Sequence, residues 1–539
     1  MNEELGMKKE ELGGPAVTAP PSDSSFFSIP CSVPKLALAA GLLVTLVRLS
    51  LVGTGTMAFI DERRYITAML GLRSLGEGHG LDFLHAINSM GARPGDGLWR
   101  AIPGLGQALL LAVFHLNPNS PVSLQVPQVF NVLIMGLNLG LLYRIFRQFF
   151  TTSFTLLGVA LYASLINTNV YLRHLLPYDH ALFFFLYGLW LLLSRPAQSH
   201  RNWWVGVISG FSYAVYPGYF MGPAMLLAQS AVRALAPNVQ REGHPRIERL
   251  VPVVAQLAGL IAVLGAFELL AQLSGTSYLA SSRYIATTVT QGSFAEGFSF
   301  IGAYFWQVEG WVGGGLLGLW AVGVALCIRR VVRWPSSGLE LPLTSLLIGS
   351  FLAWLGYASL VQFGHKLVFY GRILHFFVPF IVLGAVVALR AWAQRWPAAQ
   401  KVVLGIGAGL ALWHFSAFVF TYRAVLYPCD VAYSHGILDS RQIVRAQTTD
   451  CSTNLIAYRT FGPLIRDQRT AAYPQYEVVN FAYLYPLSCY QPVVKEGRKL
   501  IATVPYFMKY PAYQFEGHGP AERALLRRYP YDFQIMSAQ

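Results

Sequence analysis

From Leu36 to Phe420 the chain alternates long apolar runs with short polar or basic gaps. At about twenty apolar residues per membrane crossing, these runs predict about eleven helices. Their centres fall at 36–52, 128–143, 154–171, 180–194, 203–215, 219–235, 251–272, 311–328, 343–361, 374–389 and 402–420. The pair Pro217-Gly218 marks where the stretch 203–235 divides. Residues 1–34 are rich in Gly, Pro and Ser with mixed charge, which reads as a disordered tail. No apolar region near the start suggests a cleavable signal peptide. After residue 427 the apolar runs shrink to strand length, at 454–458, 478–484 and 500–504, separated by Pro, Gly and charged residues. Three parts follow: the tail 1–34, a helical membrane domain 35–427 with a long first loop 61–124, and a small α/β domain 428–539.

Composition agrees with the pattern. The chain is 54% hydrophobic and only 12% charged, against about one quarter charged in a soluble domain. Mean hydropathy is +0.45. This is the composition of a polytopic α-helical membrane protein. The net charge of +14 does not indicate nucleic acid, because the basic residues form no single patch. They recur in alternate gaps as Arg144 and Arg147, Arg195 and Arg201, then Arg233, Arg241, Arg246 and Arg249. The later gaps hold Arg329, Arg330 and Arg333, then Arg390, Arg395 and Lys401. Basic loops stay inside, so this side is assigned to the cytoplasm. An odd number of spans then puts the N-terminal tail inside and the C-terminal domain outside. We take a bacterial inner membrane as the setting, with a periplasmic C-terminal domain. Cys429, Cys451 and Cys489 then lie in an oxidising compartment, where one disulfide leaves one thiol over and the pairing stays open. Cys31 and Cys327 fall on or near the inner side, and no zinc-ligand spacing occurs anywhere.

The outer gaps are long and mixed where the inner ones are short and plain, which places function on the outer face. Asp61-Glu62-Arg63-Arg64-Tyr65 follows the first run directly. Carboxylates beside hydrocarbon cost a few kcal/mol each unless paired or used, although the first solvated residues after a span would look the same. Further along the loop, 98–116 contains Arg100, Pro103 and Gln107 and suits an interfacial helix better than a span. A second outer segment reads Tyr171-Leu-Arg173-His174-Leu-Leu-Pro-Tyr178-Asp179-His180. The third is 274–309, and the fourth is Gly364-His365-Lys366-Leu-Val-Phe-Tyr370-Gly-Arg372. Glu268, inside an apolar run, is a functional candidate by default or a satisfied polar group lining an outer cavity. Glu309, at the start of the eighth run, reads as interfacial. The glycines after Trp311 suit close helix packing, since no phosphate-loop Lys-Ser/Thr follows.

The acid pair with its Arg and Tyr after the first helix, Arg93-Pro94 later in that loop, Asp179 opening the fourth span and the Lys366/Tyr370/Arg372 cluster before a late helix form an ordered set. Together they resemble the GT-C superfamily of polyprenyl-phosphate-sugar-dependent glycosyltransferases, in the branch of protein O-mannosyltransferases and the lipid A aminoarabinose transferase. The resemblance covers about 36–420 and leaves the C-terminal domain unassigned. It implies a GT-C-like bundle and metal-independent, inverting sugar transfer at the outer face, with no resident cofactor; a divalent metal around Asp61 and Asp179 is the less favoured alternative. Asp61 matches the catalytic acid position, with Glu62 its neighbour. Lys366 and Arg372 suit the lipid phosphate, Arg by bidentate contact and Lys as a point charge. Tyr370, Tyr65, Arg64, Arg93, Asp179 and His180 are the remaining substrate-binding candidates; juxtamembrane Arg also anchors headgroups, and interfacial Tyr is common for amphipathic reasons alone. The implied partners are the polyprenyl-phosphate sugar donor, membrane lipids and an acceptor whose identity the residues do not give. The rival classes are a non-catalytic subunit of a membrane complex and a transporter of lipid-linked substrate. A transporter calls for broken or polar helices and internal repeats, whereas these runs are mostly apolar and show no repeat.

Overall fold

In the computed structural model the described residues are chiefly 35–52, 74–84, 121–173, 176–194, 198–235, 246–284, 297–333, 341–365 and 371–422, with five strands between 444 and 537. Each apolar run is helical. In chain order the helices are α1 (Lys35–Ser50), α2 (Pro121–Phe146), α3 (Thr152–Ser164), α4 (Ile166–Asn169), α5 (Tyr178–Ser194), α6 (Ser199–Val215) and α7 (Met221–Leu235). They continue with α8 (Val251–Leu273), α9 (Tyr278–Tyr284), α10 (Ser299–Val308), α11 (Gly310–Arg333), α12 (Leu341–Gln362), α13 (Gly371–Arg395) and α14 (Gln400–Tyr422). Among the described residues six helices are long and apolar enough to cross a membrane alone, and α3 with α4 makes a seventh, bent by 67°. This is an integral membrane protein. The chain turns between α6 and α7 at Pro217–Tyr219, as the proline-glycine pair predicts.

The centre of the bundle is α13. All residues from Ile373 to Ala388 are buried, so this helix is apolar on every face and packed on every face. Elsewhere small residues let backbones touch, because lipid tails give apolar side chains no reason to prefer protein. A Cβ on Gly206 of α6 would meet the Gln256 carbonyl of α8 at 1.9 Å, and one on Gly259 would meet the Trp203 carbonyl at 2.1 Å. Gly323 of α11 makes the same close approach to the Gly384 carbonyl of α13, at 2.1 Å.

One expectation needs correcting. The third run, expected as a single unbroken span over 154–171, is two helices meeting at Leu165, followed by a tighter turn at Val170–Arg173. The C-terminal strands are β1 (Val444–Gln447), β2 (Thr453–Ile456), β3 (Tyr476–Val479), β4 (Leu500–Tyr506) and β5 (Tyr531–Ser537), in the order β2-β1-β3-β5-β4. Only β1 and β3 run parallel, and β4 is irregular between Leu500 and Ala502. The interfacial helix expected at 98–116 and Cys31, Cys429, Cys451 and Cys489 lie outside the described residues; Cys327 is buried in α11.

Candidate functional site

Buried polar side chains collect at one end of the bundle. Within α13, His375 and Arg390 are fifteen residues apart, about 22 Å of helical rise. Arg390 donates to the Phe149 carbonyl at 2.8 Å in the arginine-bearing turn after α2, and Arg147 donates to Phe150 there at 2.6 Å. The cluster described next sits at the opposite end.

Asp179 opens α5 and is 3% exposed, and His375 near the start of α13 is fully buried. Asp179 Oδ1 and His375 Nε2 are 3.0 Å apart. The other imidazole nitrogen, Nδ1, faces the Asn167 carbonyl at 3.3 Å. A carbonyl only accepts, so Nδ1 carries a hydrogen, and the Asp179–His375 contact holds one proton between its two atoms. With both nitrogens engaged, His375 has no atom left with which to act as a base. Asn138 of α2 donates to the Asp179 backbone carbonyl at 3.0 Å, which fixes the start of α5.

Asn167 also faces a second acid. Glu309 stands at the one-residue joint between α10 and α11, where Gly310 takes a φ of +62°, a region glycine enters without strain. Its carboxylate accepts from the Ile166 N–H at 3.0 Å, the Asn167 N–H at 2.7 Å and Asn167 Nδ2 at 2.7 Å. His414 of α14 pairs with it through Nε2. On the other side of Leu165, Arg48 of α1 donates to the Ala163 carbonyl at 2.6 Å and to Asn169 Oδ1 at 2.8 Å, with its guanidinium 5.2 Å from the Phe415 ring.

Aromatic rings border this cluster. Tyr171 lies edge-on to His375 at 5.9 Å and to Tyr178 at 4.7 Å, and Tyr178 meets Tyr216 at 4.9 Å. The half-buried Arg372 holds its guanidinium 5.9 Å from the Tyr178 ring centre, a cation over an aromatic face. Tyr219 Oη donates to the Arg372 carbonyl at 3.2 Å. Two of the sequence candidates thus lie in this region, Asp179 in the cluster and Arg372 over the adjoining Tyr178. His180 turns to Phe130 of α2, its ring centre 5.3 Å away. Asp61, Glu62, Arg63, Arg64, Tyr65, Arg93, Lys366 and Tyr370 lie outside the described residues.

No protein-family model and no curated protein sequence matches the chain. It is similar in fold to solved structures that include the following two. One is the oligosaccharyltransferase of Archaeoglobus fulgidus, solved in complex with zinc and sulfate, at 12% identity and a TM-score of 0.41 over 72% of this chain and 53% of that one. The chain thus spans about half the length of that enzyme. The other is ArnT from Cupriavidus metallidurans bound to undecaprenyl phosphate, at 15% identity and a TM-score of 0.43 over 75% of this chain and 74% of that one.

Glu309, which reads as interfacial in the sequence, is instead 3% exposed and is hydrogen-bonded to three residues of two other helices. Arg48, His375 and His414 were missed altogether. All three are ionisable residues inside apolar runs, and that property alone marks candidates. Glu268, flagged by the same property, serves locally: its carboxylate accepts from the Leu279 N–H at 2.8 Å, Ser277 Oγ at 2.9 Å and Gln272 Nε2 at 2.8 Å, which caps α9. Among the described residues no group of three or more His, Cys, Asp or Glu is placed to hold a metal ion.

Proposed function

We propose that this protein is a membrane glycosyltransferase of the GT-C type. It moves a sugar from a polyprenyl-phosphate donor to a hydroxyl-bearing acceptor at the outer membrane face, by inverting displacement without a metal. The observation that carries the proposal is the Asp179–His375 pair, with Arg372 over the ring of Tyr178 beside it, at the end of the bundle where α1 also finishes. Arg48 ties that end of α1 into the cluster. Asp61 follows Val52 by nine residues, at most about 32 Å of chain, so the acid motif starts within reach of the same end.

The roles follow from the chemistry. The acceptor hydroxyl gives its proton to the Asp61 carboxylate as its oxygen bonds to the anomeric carbon. The bond from that carbon to the phosphate breaks, and the lipid phosphate leaves with the electron pair. Lys366 and Arg372 neutralise that charge, with Arg64 and Arg93 as further cations. Glu62 orients the loop, and Tyr65, Tyr370, Asp179 and His180 position donor or acceptor. The cytoplasmic N-terminus and the outward-facing C-terminal domain belong to this proposal and rest on the arginine pattern; the bacterial inner membrane is its favoured setting, with the endoplasmic reticulum the alternative.

The test uses purified protein in bilayers with a polyprenyl-phosphate-linked sugar. Asp61→Asn is expected to bind donor and to lose about 10²–10⁴ in transfer rate, the usual worth of a general base. Lys366→Ala and Arg372→Ala are each expected to weaken binding of a polyprenyl phosphate by about 1.5–3 kcal/mol, the worth of a charge-assisted contact. Full activity of Asp61→Asn would remove the base. Failure of the wild-type protein to bind any polyprenyl phosphate would remove the reading as a whole.

A further inference from the structure

The break at Leu165 has neither proline nor glycine, although Thr168 and Asn169 just beyond it donate to the Tyr162, Ala163 and Leu165 carbonyls. Sharp helix bends come from Pro, Gly, a π-bulge or an inserted group, yet the sequence around the break is Ala163-Ser164-Leu165-Ile166-Asn167. Leu165 itself is extended, at φ −68° and ψ 140°, although leucine is a good helix former. Within a membrane the backbone groups freed by such a break need partners, because no bulk water reaches them. Here the charged partners come from far along the chain. Glu309, more than 140 residues away in sequence, takes the N–H groups of Ile166 and Asn167, and Arg48, more than 110 residues away, takes the carbonyl of Ala163. The charges suit their places. An anion sits where N–H groups start α4, and a cation sits where carbonyls end α3.

We propose that Glu309, oriented by His414, and Arg48 are positioning residues. By holding this bend they set the Asp179–His375 pair for the transfer reaction; the catalytic part rests on the function proposed above. The link is Asn167, whose N–H and Nδ2 face Glu309 while its carbonyl faces His375 Nδ1. Releasing Asn167 from Glu309 removes the acceptor that keeps the hydrogen on Nδ1. The proton shared with Asp179 then loses its fixed place.

The experiment has two arms. In the first, ¹⁵N-histidine-labelled protein in bilayers is read by solid-state NMR, with His375 assigned through His375→Gln. Wild type is expected to show a protonated Nδ1, and Glu309→Gln to lose that signature while keeping the wild-type elution profile. The second arm measures sugar transfer. Glu309→Gln is expected to lower kcat by about 10²-fold, the usual cost of a misplacement near 1 Å, with the donor KM held within about threefold. Arg48→Lys, which still donates to the Ala163 carbonyl, is expected to recover most of the rate that Arg48→Met loses. Should Glu309→Gln fail to fold, His414→Leu replaces it, since it removes only the outer partner of the carboxylate. An unchanged His375 spectrum in whichever of these variants folds would overturn the proposal, whether or not the wild type transfers sugar. Inactivity of the wild type with the predicted spectral change would instead count against the transferase reading alone.

Discussion

Helix α13 carries Pro379 in its middle and continues as one helix to Arg395, whereas the span at 152–173 bends by 67° at a point with neither proline nor glycine. Local sequence predicts the reverse in both places. Pro379 removes the donor that would bond the carbonyl of His375, four residues back. The helix survives because the residues around it are buried on all sides and packing holds its course. At Leu165 the freed backbone groups are taken by Arg48 and Glu309 from distant helices and by Thr168 and Asn169 beside the break. In this bundle, the partners offered to the backbone decide where a helix ends. Composition has little say.

The strongest way to break that comparison is to withdraw a partner from the bend. Arg48→Met keeps length and apolar bulk but removes the donors to Ala163 and Asn169 and the contact over Phe415. Hydrogen bonds from a charged group are worth about 1.5–3 kcal/mol, so unfolding in detergent should show a loss in that range. A loss under about 0.5 kcal/mol would mean that the bend is held by its own neighbours.

Thr168→Val probes those neighbours. Thr168 Oγ1 lies 2.8 Å from both the Tyr162 and Leu165 carbonyls and 3.1 Å from Asn169 Nδ2. Valine has nearly the same shape and no hydroxyl, so the expected loss is about 1 kcal/mol, the net worth of a neutral hydrogen bond. If Thr168→Val costs more than Arg48→Met in the same unfolding assay, the bend is mainly local and the contrast with α13 weakens.

The two regions were unequally legible. Among the described residues the apolar runs locate the spanning helices, because twenty apolar positions in a row have few other uses, although α2 begins seven residues ahead of its run and the third run breaks at Leu165. Pro217-Gly218 places a turn for the reason that it disfavours continued helix. The bend at 165 leaves only a faint trace, the run Asn167-Thr168-Asn169 just after it, whose residues are weak helix formers that bond nearby backbone. Its charged partners sit at Arg48 and Glu309, and each reads by itself as the polar edge of a span. Asp179 and Arg372 were found through the motif, whereas His375, which pairs with Asp179, lies inside an apolar run and bears no motif. A pair such as Glu309 with Asn167 is a property of the fold, and one sequence without its relatives does not display it.

The smallest expected effect comes from the other side of the comparison. Pro379→Ala gives α13 an N–H that can bond the His375 carbonyl, a gain of about 1 kcal/mol. It also deletes ring carbons from a position where Val378 and Phe380 are almost wholly buried, and the resulting cavity costs about as much. The two nearly cancel, so the unfolding free energy should stay within about 1 kcal/mol of wild type. The ¹⁵N signature of His375 should stay as well, because Asn167 and Asp179 hold that ring from other helices. A large loss of stability, or a displaced His375 signal, would show that the proline shapes the start of α13 from within. Local sequence would then govern this helix after all, and the bend at Leu165 would stand as an exception.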